Sequence, residues 1–268
     1  MKDKKITGYH LKMIALVTML IDHVAAVILG TAVYDDVALT WVTEENSGLW
    51  QIIVLLRRGV GRVAFPIYCF LLIEGFLHTR NVKKYFLRLV MFAFLSEIPF
   101  DICFRVDFVT RQNFYSVFRG ETDLWSWLHW LNGYNNVFFT LAIGLFTICL
   151  ISKIRQKNGM LSKIGVILVT LASMLLADYV FHCDYGMAGV LAIVMMYQFW
   201  YNRTYAFIAG VFVLAVLAGW LEVFALFMLI PLHYYNGERG KQAKYVFYGF
   251  YPVHLLILAV ICLQLGYR

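Results

Sequence analysis

Charge is what this chain has least of. Asp, Glu, Lys and Arg make up 15% of its 268 residues, against 62% hydrophobic and 17% aromatic, and mean hydropathy is +0.71. Soluble domains carry about 25% charged residues, so an ordinary water-soluble globular protein is excluded and a polytopic membrane protein is implied. Cysteine is equally uninformative as a framework. The five, Cys69, Cys103, Cys149, Cys183 and Cys262, are odd in number, lie in different segments and show no C-x-x-C spacing, which supports neither a disulfide scaffold nor a zinc site. There is no internal repeat, no low-complexity tract and no stretch polar enough for a soluble domain. Nor is there a basic stripe with interleaved aromatics, so the net charge of +7 does not point to nucleic acid.

What the chain has is apolar runs. About 20 mostly apolar residues cross ~30 Å of hydrocarbon as a helix, and on that ruler residues 1–268 form one all-α membrane bundle of about nine spans. These run Lys12–Val33, Leu49–His78, Tyr85–Phe104, Asn136–Ile151, Ile164–Val180, Tyr185–Tyr201, Thr204–Gly219, Glu222–Tyr235 and Tyr245–Leu265. Leu49–His78 exceeds one span and implies a kink or an interfacial piece; Glu222–Tyr235 is short enough to be re-entrant; Trp125–Trp130 reads as an interfacial aromatic segment. The first run follows a basic start like a signal peptide, but Asp22-His23 interrupts it and no small-x-small site follows, so it reads as the first membrane helix. Every lysine, from Lys2, Lys4, Lys5 and Lys12 through Lys83, Lys84, Lys153, Lys157 and Lys163 to Lys241 and Lys244, falls on one side of this arrangement. The positive-inside rule makes that side cytoplasmic, with the amino terminus inside.

The polar residues inside the spans carry the chemistry. An ionisable group at bilayer depth costs roughly 2.5–3.5 kcal/mol on insertion scales and ordinarily faces a bundle interior or cavity. Counting about 1.5 Å of rise per residue from the lysine side places His254 at about 13 Å, His23 at about 16 Å, Glu97 at about 18 Å, and Arg62 with Asp101 at about 24 Å. Glu74 and His78 lie near the inner face beside Arg80, Lys83, Lys84 and Arg88. Asp22 and His23 are adjacent and point about 100° apart, so Asp22 is not expected to orient the His23 ring; a carboxylate from another helix, Glu97 first, is expected to do so. Glu97 and Asp101 share a face, as do Arg58 and Arg62, and Arg62 is at the depth to lie between the two carboxylates. Pro66, Pro99 and Pro252 each free a carbonyl near this layer. The bland readings are an interhelical polar contact for Asp22-His23, a structural ion network for Arg62, and simple topology for the inner basic residues. His182-Cys183-Asp184 is weak as a metal tract, and Asn202-Arg203-Thr204 is a glycosylation sequon by pattern only.

Met19-Leu-Ile-Asp-His23, Gly61-Arg-Val-Ala-Phe-Pro66, Glu74-Gly-Phe-Leu-His-Thr79, Arg88-Leu, Ser96-Glu-Ile-Pro-Phe-Asp101, Asn136-Val-Phe-Phe-Thr140, Asp184-Tyr-Gly186 and Tyr251-Pro-Val-His-Leu255, in this order over nearly the whole chain, resemble the TraX family. The resemblance implies a pilin-acetylase-like enzyme of the bacterial cytoplasmic (inner) membrane, related to the transmembrane acyltransferases. Acetyl-CoA would be the cytosolic acyl donor, and the acceptor a membrane-associated protein or a glycan; no metal is implied. On this reading Arg80, Lys83, Lys84 and Arg88 meet the donor's phosphates, Glu74 and His78 line its path, and His23 acts as general base or transient acyl carrier, with Asp22, Arg62, Glu97, Asp101 and His254 around it. An O-acetyltransferase of an envelope glycan or lipid is the nearest alternative. A proton-coupled transporter would also use intramembrane acids and histidines, but the chain has no inverted repeat; a scaffold would need no polar layer.

Overall fold

The computed structural model describes residues 5–29, 59–104, 134–157, 159–241 and 244–265. Arg58, the acidic residues Asp35, Asp36, Glu44 and Glu45, and the Trp125–Trp130 segment lie outside the described residues. Among the described residues the chain is all-helical, with α1 (Gly8–Val24), α2 (Ala64–His78), α3 (Val82–Phe104), α4 (Val137–Ile154), α5 (Met160–Leu175), α6 (Gly186–Gln198), α7 (Arg203–Leu217), α8 (Leu229–His233) and α9 (Lys244–Leu265). Each expected span has its helix. Four stretches, Gly8–Val27, Gly61–His78, Val137–Ile154 and Met160–Val180, are long and apolar enough to cross a membrane, and α6, α7 and Val246–Ile261 are shorter apolar helices. The short segment after Gly219 is no full α-helix. It runs as a 3-10 helix, Trp220–Met228, into the five-residue α8.

Local chemistry sets the helix starts. Asn136 accepts from the Phe138 N–H at 3.0 Å and Asn202 from the Thr204 N–H at 2.9 Å, each capping the helix that follows. Asn202 of the sequon pattern is therefore committed to a cap. A 3-10 turn, Gly61–Val63, leads into α2, whose third residue is Pro66; Pro66 has no N–H to donate to the Arg62 carbonyl in the α-helical pattern. Pro99 and Pro252 sit inside α3 and α9, which both continue through them. A π turn, Ala25–Leu29, prolongs α1 and packs against α9. That contact carries His23 to the last helix.

The centre is built from α2, α4, α6 and α7, where Phe70, Ile73, Leu145, Ile148, Ile193, Met196, Phe207 and Leu214 are fully buried. Glycines let these helices close up. Gly144 faces Ile193, Gly210 faces Met196, and Gly189 faces Thr140 and Phe65, the small-residue packing that membrane bundles use in place of a hydrophobic drive. By contrast the Met160–Val180 stretch is 17% buried, and its outer face of Ile167, Leu168, Leu171 and Leu175 suits lipid.

Two backbone clasps mark the two ends of the bundle. At one, Ile6 pairs with Tyr235 and the Gly8 N–H donates to Glu238 O at 2.8 Å; the start of α1, the ends of α2, α4 and α6, and the starts of α3 and α7 gather there. At the other, Asn135 pairs with Cys183. Lys12, at the start of α1, and Lys83 and Lys84, at the start of α3, belong to the first end. A Cβ on Gly189 would come within 2.6 Å of Thr140 and 2.9 Å of the Phe65 ring, whereas Gly249 has nothing within 4 Å. Gly189→Ala is therefore expected to destabilise by about 1–3 kcal/mol and Gly249→Ala to leave stability unchanged, as thermal unfolding in detergent will measure.

Candidate functional site in the polar layer

His23 sits in the last turn of α1, just before the π turn, and His254 lies in α9 after Pro252. Their rings meet. His23 Nδ1 is 2.6 Å from His254 Nε2, with the planes 6° apart and centroids 4.9 Å apart. The N···N separation and two ring radii account for that centroid distance, so the rings lie edge to edge in one plane rather than face to face. His254 Nδ1 is 2.7 Å from the Phe250 carbonyl, and a carbonyl only accepts, so this nitrogen carries the proton. In the neutral pair His254 Nε2 is then the acceptor and His23 Nδ1 the donor. His23 is left with an unprotonated Nε2. Tyr251 and Phe104 close over the pair, with ring centroids 5.8 and 5.4 Å from His23, and the Cys103 thiol donates to Leu255 O at 2.9 Å, tying α3 to α9 beside them.

A second cluster surrounds Arg62, on the 3-10 turn. Its Nη1 donates to Glu222 Oε1 and to the Tyr185 hydroxyl, both at 3.3 Å. Glu222, from the 3-10 helix after α7, is 2% exposed. Tyr185 holds a left-handed φ of 62°, costly for a non-glycine residue, and its ring stacks on Phe65 at 3.8 Å; the stack and the Arg62 bond hold that conformation. The Asp22 carboxylate packs on Gly61, where a Cβ would meet Oδ1 at 2.4 Å. Asp22 and His23 thus serve different neighbours, as helix geometry required. In the loop before α6, burial pushes the Asp184 carboxyl up to about 6 against the opposing pull of Arg62.

Glu97 and Asp101 are both buried. Glu97 Oε2 accepts from the Asn136 backbone N–H at 3.1 Å and from its side-chain amide, whose Nδ2 also donates to Ala93 O at 2.8 Å. Two expectations are corrected here. The residue that orients His23 is His254, not Glu97, and the carboxylate paired with Arg62 is Glu222, not Glu97 or Asp101. Tyr251 is within electrostatic reach of Glu97 and Asp184. Sequence reading missed Glu222, Tyr185 and Asn136. Glu222 had a signal, a lone carboxylate in an apolar run, that was spent on marking a helix boundary.

At the lysine end the expected donor-path residues divide. Glu74 is buried, and its Oε1 accepts from Arg203 Nη2 at 2.9 Å and from the Tyr235 hydroxyl at 3.2 Å, so that oxygen is committed inside the fold. His78 is exposed and its Nδ1 donates to the Glu74 carbonyl at 2.8 Å. Arg80, Lys83 and Lys84 are exposed. Arg88 is half-buried, its guanidinium 5.8 Å from the Tyr85 ring.

An all-helical bundle with buried carboxylates, a histidine pair and a half-buried arginine among apolar helices defines a membrane protein. The chain belongs to the TraX family, described as TraX protein, which matches residues 7–262. It is similar to the "Probable fimbrial assembly protein FimC, serogroup H1" of Dichelobacter nodosus, 27% identical over 271 residues and covering 94% of each chain. No solved structure matches.

Removing Arg62, whose side chain is 32% exposed, leaves the buried Glu222 carboxylate without its ion-pair partner, a loss below the roughly 3–5 kcal/mol of a fully buried pair, whereas removing both partners is close to neutral. Arg62→Met is thus expected to lower the melting temperature in detergent well below that of the Arg62→Met/Glu222→Gln double variant.

Proposed function

We propose that this protein is a membrane acetyltransferase that moves the acetyl group of acetyl-CoA to an acceptor, with His23 Nε2 as the reacting nitrogen. The observation that carries this reading is the hydrogen-bond direction through His23, His254 and Phe250, which leaves Nε2 bare. An imidazole nitrogen with a free lone pair is suited to general-base work. Nε2 takes a proton from the acceptor amine or hydroxyl as that group attacks the thioester carbonyl. The C–S bond then breaks, and the proton passes from Nε2 to the departing CoA thiolate. During the step the His23 ring is positively charged, and His254 Nε2, accepting from Nδ1–H, stabilises it as a triad carboxylate does. His254 is a positioning residue on this scheme.

The lysine-bearing end faces the cytosol of a bacterial inner membrane by the positive-inside rule, so the donor enters there and the acceptor meets the opposite, Asn135–Cys183 end. The relative's name concerns fimbrial assembly, which favours the amino terminus of a pilin-like precursor over a glycan hydroxyl as acceptor. Arg62, Glu222 and Asp22 hold the wall beside the reacting pair, and Glu97 with Asn136 fixes α3 against α4.

The test is transfer of labelled acetyl from acetyl-CoA to a pilin-like precursor by purified protein in nanodiscs. His23→Ala is expected to lower transfer about 10²–10⁴-fold. His254→Gln, whose amide oxygen accepts the same bond, is expected to retain more activity than His254→Ala. Wild-type rates in His23→Ala would remove His23 from the mechanism, and absence of any reaction or binding with acetyl-CoA would remove the enzyme reading.

A further inference from the structure

Three cations gather at the lysine-bearing end with no counter-ion among the described residues. Lys12, in the second turn of α1, places Nζ 5.4 Å from the Phe247 ring of α9. Arg239 is brought to the start of α1 by the Gly8 N–H bond to Glu238 O, close enough for its charge to act on Lys12. Arg88 rises from α3 over the Tyr85 ring, and one turn further along that face Phe92 stacks on Tyr248 of α9 at 4.9 Å. The charges of both Arg88 and Arg239 reach the Tyr85 phenol. Arg88 Nε is buried and has no hydrogen-bond partner among the described residues.

The nearby acids are otherwise engaged. Glu74 pairs with Arg203, and the exposed Glu238 accepts from Asn236 Nδ2 at 3.0 Å. Among the described residues neither Lys12, Arg88 nor Arg239 forms an ion pair. Converging like charges repel and leave a guanidinium N–H unsatisfied, an arrangement that an anion with several acceptor oxygens relieves.

We propose that Lys12, Arg88 and Arg239, with the hydroxyls of Tyr85 and Tyr248, form a binding site for a phosphate or diphosphate ester. The site joins α1, α3, α9 and the 236–241 loop. Lys12 and Arg88 are half-buried and Arg239 exposed, whereas Arg80, Lys83 and Lys84 are all exposed, and the site adds two cations that the chain's motifs do not reveal. If the acetyl-CoA reading holds, the ester is the diphosphate of the donor, and the inference deepens that reading; the same chemistry is offered by an anionic phospholipid headgroup.

Binding of CoA, pantetheine and inorganic pyrophosphate to the full-length protein in nanodiscs tests it, alongside mass spectrometry of phosphatidylglycerol retained from mixed-lipid discs. For a CoA diphosphate, Lys12→Gln, Arg88→Gln and Arg239→Gln are each expected to weaken CoA and pyrophosphate by about tenfold, to leave pantetheine unchanged, and to flatten the salt dependence; Lys163→Gln, an exposed lysine at the same end, changes none of these. For a lipid headgroup, CoA binding is unaltered and phosphatidylglycerol retention falls in the triple variant. Because repulsion is relieved, the ligand-free triple variant should melt no lower than the wild type, which separates lost binding from lost folding. Unchanged binding of both CoA and phosphatidylglycerol in the triple variant would overturn the site. Pyrophosphate or lipid binding that depends on the three cations in a protein that transfers no acetyl would uphold the site and reject the acetyltransferase.

Discussion

One directed hydrogen bond organises the polar layer. The Phe250 carbonyl accepts from His254 Nδ1, and this fixes which His254 nitrogen can accept from His23. Everything that places the two rings in one plane serves that bond: the π turn that carries α1 toward α9, the Cys103 bond to Leu255 O, and the cover of Tyr251 and Phe104. Two imidazoles at this separation are tolerable only while at least one is neutral, since a doubly protonated pair has no acceptor and two like charges. The pair therefore shares a proton as a unit. It gives α1 and α9, far apart in sequence, a common chemical purpose.

Around the pair the bundle separates charge by height. Arg62, Glu222 and Asp22 stand on one side with Tyr185 held in a strained conformation by the same arginine, and Glu97 with Asn136 closes the other. The lysine-bearing end holds its own balance, with Arg203 paired to Glu74, whose Oε1 also accepts from the Tyr235 hydroxyl, while among the described residues Lys12, Arg88 and Arg239 form no ion pair. Buried acids are engaged within the fold at both levels, and the described surplus of positive charge lies at the lysine-bearing end. That polarity suits the proposed acetyltransferase, whose donor is an anion.

Much of this was legible in the chain. Apolar run lengths predict the helices because the bilayer imposes one length on every span, and depth counting put His23, Glu97 and His254 in one layer because rise per residue is fixed. What depth cannot supply is azimuth. Sequence spacing tells which residues share a face of one helix, as with Asp22 and His23 diverging, but not which helix that face meets. Hence the partner of His23 was sought in Glu97 and that of Arg62 among the wrong carboxylates. Glu222 was hidden for a different reason: it rides on a 3-10 segment too irregular for the 3.6-residue period on which the face argument rests.

The most direct test of the account is the protonation of the two rings, read from ¹⁵N chemical shifts in selectively histidine-labelled protein at neutral pH with His23 and His254 assigned by substitution. The expected result is His254 protonated at Nδ1 and His23 protonated at Nδ1 with a bare Nε2. A His23 ring protonated at Nε2, with Nδ1 as acceptor, would contradict it.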